Sequence, residues 1–253
     1  MTTEQVVALG IAFFIGMLLG VMGSGGSIIT LPVLVYVAGI RPQSAVPMSM
    51  VIVGSTSIVA AYLHARRGHF HRKSAVLLGT TGVVGAYFGA AWTHLISSTA
   101  LMFIFAGVLL TVGLLTFKGG GESALPTTTC RPLRCLFVGS CVGLLTGFLG
   151  VGGGFLIVPA LIFFAGLEAT LAVGTSLAII ALNSVGGILG QVRFKAFEWP
   201  LTLAFTGLTM IGMLVGLSVA VRLSQHTLRN AFASLLVGVG VVVASLQCFD
   251  VVR

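Results

Sequence analysis

Carboxylates are nearly missing from this chain. Only five acidic residues, Glu4, Glu122, Glu168, Glu198 and Asp250, occur among 253, and all five fall in loops or at the ends of apolar runs. Proton- and cation-coupled carriers place a carboxylate inside the membrane as relay or ligand, so that class has no candidate residue. Charge of either sign is scarce, at 7% against about a quarter in soluble domains. Hydrophobic residues make up 57% and the mean hydropathy is +1.14. A soluble fold is excluded. What remains is an all-α polytopic membrane protein, with room for roughly eight to ten spans of about 20 residues.

Paired cysteines are lacking too. Cys130, Cys135, Cys141 and Cys248 form no CxxC and have no histidine at zinc spacing. We read them as small apolar fillers, which disfavours a thiol-relay enzyme. His69, His71, His94 and His226 fall in loops or at interfaces, without a carboxylate at metal-ligand spacing. No catalysis, cofactor, metal or nucleic-acid partner is expected. No Lys or Arg precedes Arg41, so the first apolar run lacks the basic start of a signal peptide and reads as a retained helix. The net charge of +8 partly reflects the basic bias of cytoplasmic loops. It also leaves an interior with no fixed negative charge to repel an anion.

Glycine, by contrast, is abundant and placed with a pattern. Gly23-Ser24-Gly25-Gly26-Ser27 and Gly150-Val151-Gly152-Gly153-Gly154 each interrupt an apolar stretch, where glycine weakens a helix and leaves backbone groups short of partners. In hydrocarbon such a break is tolerated only when it packs against protein or lines a wet cavity, which makes it a pointer to a transport site. The competing explanation is close helix packing through small residues. Apolar runs lie at about 5–22, 27–40, 44–64, 73–94, 98–117, 131–149, 154–167, 170–191, 199–221 and 226–248. The second and seventh are too short to span about 30 Å as straight helices, so break and short helix together make one crossing.

A shift of 127 positions lays the chain on itself without a gap. Gly16, Gly20, Gly23, Gly25 and Gly26 then meet Gly143, Gly147, Gly150, Gly152 and Gly153, and Pro32, Ser49, Ser57, Arg66 and Gly113 meet Pro159, Ser176, Ser184, Arg193 and Gly240. This is the mark of a duplication: two five-segment repeats, 1–117 and 131–253, joined by a Gly- and Thr-bearing tether at 118–130. Five crossings per unit would invert the second copy; four crossings and a re-entrant glycine hairpin would leave it parallel. Loop charge fits both. The lack of basic residues in the first 40 positions suits an outside N terminus, which only the inverted arrangement provides, and we take that as the expectation.

In inverted repeats the breaks would approach the midplane from opposite faces, offering amide hydrogens and the positive ends of short helices to a shared cavity. Backbone N–H groups at a helix start hold sulfate-like and carboxylate groups without a fixed cation. The candidate substrate-binding residues are therefore Gly23, Ser24, Gly25, Gly26, Ser27, Gly150, Gly152, Gly153 and Gly154. The third segment of each unit adds Ser49 and Ser57, then Thr175, Ser176 and Asn183. Hydroxyls in membrane helices commonly bond their own backbone. An amide in a run such as Leu177–Leu182 needs a partner, so Asn183 is either interhelical glue or a substrate contact. Arg193 matches Arg66 in the other copy; it is a candidate anion vestibule or a snorkelling anchor.

Together, Gly147-x-x-Gly-Val-Gly-Gly-Gly154, Pro159, Ala172-Val-Gly-Thr-Ser-Leu177, Asn183-Ser184 and Gln191-x-Arg193 resemble the TauE/SafE family of sulfite-exporter-like permeases. The first half is similar through Gly20-x-x-Gly-Ser-Gly-Gly-Ser27, Pro32 and His64-Ala-Arg-Arg-Gly68. The resemblance covers essentially the whole chain. It implies a multi-pass carrier of the cell (inner) membrane that moves sulfite, sulfonates or similar small sulfur-containing oxyanions. Outward movement is the expectation from energetics, since a cell interior at negative potential favours the exit of negative charge. Ser27 stands where the second copy has Gly154, and Pro47 where it has Gly174, so the half-sites are not equivalent. The expected partners are the bilayer and a small anion, with homo-oligomerisation left open. The alternative function is a non-transporting membrane assembly or thiol-redox partner.

Overall fold

The computed structural model describes residues 3–23, 25–118, 132–191, 198–220 and 225–252. Among these the chain forms ten α-helices: α1 (Thr3–Met22), α2 (Gly25–Pro32), α3 (Pro42–Arg66), α4 (Arg72–Trp92), α5 (Ser98–Lys118), α6 (Pro132–Leu149), α7 (Gly154–Ala165), α8 (Ala169–Gln191), α9 (Trp199–Ala220) and α10 (Gln225–Val252). Seven are long and apolar enough to cross a membrane, while 25–37, 135–149 and 154–165 are shorter apolar helices. Phe14, Tyr62, Val84, Leu203 and Val242 stand exposed on outward faces, where lipid rather than water suits them. The protein is an all-α polytopic membrane protein. The tether expected at 118–130 falls almost wholly outside the described residues, as do Ser24 and Arg193.

Prolines leave their signature inside the helices. Pro32 lacks the N–H for the i−4 ladder, and the five residues after it, Val33–Val37, continue as a π-helical turn closed by Ala38 N–H donating to Val33 O at 2.9 Å. Pro47 and Pro159 sit inside α3 and α7. His71 caps α4, its Nδ1 accepting from Ser74 N–H at 3.3 Å. Gly39 and Gly166, with φ of 69° and 63°, end the two short helices.

Close glycine contacts set the directions of packing. Along α1 and α9, Phe13 meets Gly212 and Met17 meets Gly216, so these helices run parallel; Gly82–Gly143 and Ala86–Gly147 make α4 and α6 parallel in the same way. At Gly16, Gly20, Gly143 and Gly147 a Cβ would collide with the neighbouring helix's backbone, the approach that small residues permit in membranes. Between α4 and α8, Gly79–Leu182, Val83–Gly186 and Tyr87–Gly190 again ascend together. Across α3 and α8 the order reverses: Met50 meets Gly187, Gly54 meets Ser184 and His64 meets Gly174. Helices α3 and α8 therefore cross antiparallel. The α1/α9 contacts have counterparts 127 positions on in α4/α6, such as Gly16–Thr209 against Gly143–Gly82, and Gly113–Val237 is matched by Gly240–Leu110.

One cysteine departs from the filler role expected of all four. Cys141 and Cys248 are free and exposed, but buried Cys135 is disulfide-bonded. A disulfide-bonded Cys135, in the first turn of α6, is more than a filler.

Candidate functional site

Both glycine stretches break their helices, and both reverse the chain. Gly23 (φ 71°) ends α1, and Gly150, Gly152 and Gly153 (φ 71°, 66° and 76°) separate α6 from α7. This left-handed backbone costs an L-residue about 1–2 kcal/mol, which is the physical reason for glycine there. In the first copy Gly25, Gly26 and Ser27 are already helical and form the first turn of α2, with Gly26 lying against Ile15 and Leu19, so α2 folds back along α1. All the described residues of the two breaks are buried.

The antiparallel α3 and α8 hold the breaks from both sides. Gly23 packs on Val173 of α8 and Gly150 on Val46 of α3, residues 127 apart. Ser49, one turn beyond Val46, bonds the Val46 carbonyl at 2.8 Å and also the Gly150 carbonyl. The next turn brings Val53, which with Ile180, its counterpart in the other half, closes on Gly152. A methyl added at Gly152 would lie 3.5 Å from Ser184 Oγ. The second break thus reaches the middle of the crossing. The first lies at the other end of α3, near the Gly174–His64 contact. At the start of α7, Leu156 and Ile157 N–H both donate to Gly153 O at 3.0 Å; the amides before them belong to the first turn, which has no intrahelical acceptor.

A line of polar side chains without hydrogen-bond partners follows the same crossing. Ser57 Oγ, Ser184 Oγ, both amide atoms of Asn183, both ring nitrogens of His64 and Gln191 Oε1 are buried and unpaired. An unmade bond at a buried group costs about 1–3 kcal/mol, and native structures tolerate few of them. Five such side chains on two helices run from one end of the crossing to the other and make it a candidate polar path. Asn183 lies against Gly82 of α4, where any larger residue would strike its Oδ1.

The other predicted residues divide. Ser176 bonds the Val173 carbonyl at 2.8 Å, repeating Ser49, and Thr175 accepts from His71 N–H at 3.0 Å, which ties α8 to the loop between α3 and α4. These hydroxyls hold the scaffold rather than face the crossing unpaired. Ser57 lies on α3 and is unpaired; Asn183, also unpaired, is turned to Gly82 of α4, at the edge of the crossing. Ser184, His64 and Gln191 join them, and their spacing at equivalent positions of the two halves was the available signal. Arg66, exposed at the end of α3, stacks over Tyr62 at 5.6 Å. Among the described residues, no group of three or more metal-ligating side chains occurs.

Comparison with known proteins agrees with this architecture. The family model described as "Sulfite exporter TauE/SafE" matches residues 8–243. The chain belongs to the TauE/SafE family. Two similar proteins of Xylella fastidiosa, each named a probable membrane transporter protein, are 32% identical (strain 9a5c) and 34% identical (strain Temecula1), with 94% of each chain covered. The probable membrane transporter protein YdhB of Bacillus subtilis is 27% identical over 87% of this chain and 92% of its own. No solved structure matches the chain. Membership makes this TauE/SafE protein a membrane transporter by family, and the crossing of α3 and α8 is its candidate path.

Proposed function

We propose that the protein carries a small sulfur-containing oxyanion, such as sulfite or a sulfonate, outward across the cell's inner membrane. The observation that carries this reading is the set of uncharged, unpaired donors at the α3–α8 crossing, with the second glycine break seated against it. Hydroxyl, amide and helix-start N–H groups suit an oxyanion's several acceptor oxygens. The family's printed description points the same way. Among the described residues the four helices that meet at the crossing, α3, α4, α7 and α8, place no carboxylate there, so cation coupling has no ligand. With the cell interior negative, each negative charge leaving is favoured by about 2.3 kcal/mol per 100 mV. Export needs no coupled ion.

We also propose that the halves are inverted repeats, 1–117 and 131–253. What supports this is the sense of packing: α3 antiparallel to α8 and α4 parallel to α8 fit ten crossings, whereas re-entrant hairpins would reverse both relations. The test of function is flux of labelled sulfite, sulfate, sulfoacetate and taurine in proteoliposomes. Saturable sulfite or sulfonate efflux is expected. Folded protein that moves none of these anions would end the transport reading.

A further inference from the structure

Two of the unpaired side chains lie away from the centre of the crossing, and they occupy the same position in the two halves. His64 ends α3 and Gln191 ends α8, 127 residues apart. Because α3 and α8 are antiparallel, these ends point to opposite aqueous sides, separated by nearly the whole of α3, on the order of 30 Å at 1.5 Å per residue. His64 is 9% exposed and lies against Gly174 at the start of α8, under the loop that carries His69. Its backbone carbonyl accepts from His69 and Arg67 N–H, yet neither ring nitrogen has a partner. Gln191 is 4% exposed; its Nε2 makes one long bond of 3.5 Å to Ala90 O, and its Oε1 makes none.

We infer that His64 and Gln191 are paired entry stations for the oxyanion, one at each end of the α3–α8 path, flanking the central Ser57, Asn183 and Ser184. This rests on the transport reading above and adds to it where the anion is met on each side. At His64 the ring N–H has no partner, and at Gln191 the donor is Nε2, whose bond to Ala90 O is long at 3.5 Å. An arriving anion oxygen takes these N–H groups, while Gln191 Oε1, which can only accept, takes a hydrogen bond from a water that travels with the anion. A buried amide or imidazole ordinarily serves as interhelical glue, but glue needs a well-made partner bond, which neither side chain has. The chemistry at the two ends differs: an aromatic imidazole at one, a carboxamide at the other. Each end is therefore tuned separately for the same class of ligand.

Sided measurements test the inference. His64→Leu should raise KM several-fold for methanesulfonate presented from the His64 side and leave KM from the other side within twofold. Gln191→Leu should do the opposite, and Asn183→Leu should impair both. Equal effects from both sides, or none from either, would overturn the stations. His64→Gln, which makes the two ends alike, should restore most of the loss; failure of that rescue with folded protein counts against a donor role. A readout independent of flux is the ring-nitrogen NMR signal of His64 in the full chain in nanodiscs. A saturable response to methanesulfonate is expected, and no response overturns the station. Absence of flux in the unmodified protein would instead defeat the transport reading, leaving the NMR result to decide the site.

Discussion

At the residue scale, position along α8 separates scaffold from site. Thr175, Ser176, Asn183 and Ser184 look alike in a hydropathy plot, but the first two have backbone partners and the last two have none. Asn183 was legible as an oddity because an amide in an apolar run demands explanation. Whether its partner was protein or ligand could not be read without the neighbouring helix, and Gly82 opposite it offers a backbone Cα, not a hydrogen bond. We expect Asn183→Leu, nearly isosteric, to raise thermal stability by about 1–3 kcal/mol while lowering anion flux at least tenfold. A melting point that falls along with flux would show the amide to be structural. Gly152→Leu should abolish flux with insertion intact, since the side chain would need left-handed backbone and would press on Val53, Ile180 and Ser184. Unchanged flux in that variant counts against the second break.

At the element scale the sequence was most informative. Ten apolar runs became ten helices with ends within a few residues of those expected, because glycine, proline and loop charge punctuate them. Three features needed the fold. The glycine breaks are chain reversals, which depend on α2 and α7 finding α1 and α6 to pack on. The π-helical turn after Pro32 comes from a missing N–H whose local remedy no spacing rule specifies. The parallel pairs α1/α9 and α4/α6 join helices far apart in sequence, although their glycine stripes were visible. These interfaces admit a direct test by stability in detergent. Gly143→Leu, at the α4/α6 contact, should cost about 1–3 kcal/mol or more. Gly238→Leu, on α10 with nothing near it, should stay within about 0.5 kcal/mol. Similar losses at both would contradict the packing described.

At the scale of the whole molecule, the duplication was legible as a gap-free shift of 127, but its orientation was not, since loop charge fitted inverted and parallel copies alike. The antiparallel meeting of α3 with α8 is what favours inversion. Ten crossings put both termini on one side, so accessibility tags after Met1 and after Arg253 should label from the same, outer face. Labelling of the C terminus from inside alone would restore the parallel arrangement. The central claim is that an anion passes between α3 and α8 at the unpaired serines and Asn183. Its most direct test is Ser184→Cys in a protein whose four native cysteines are replaced, a background that should itself keep flux if the function is not thiol chemistry. We expect the anionic reagent 2-sulfonatoethyl methanethiosulfonate to reach the thiol at this buried position, to stop flux on reaction, and to be slowed by methanesulfonate. A thiol at position 184 that stays unreactive in actively transporting protein would place the path elsewhere.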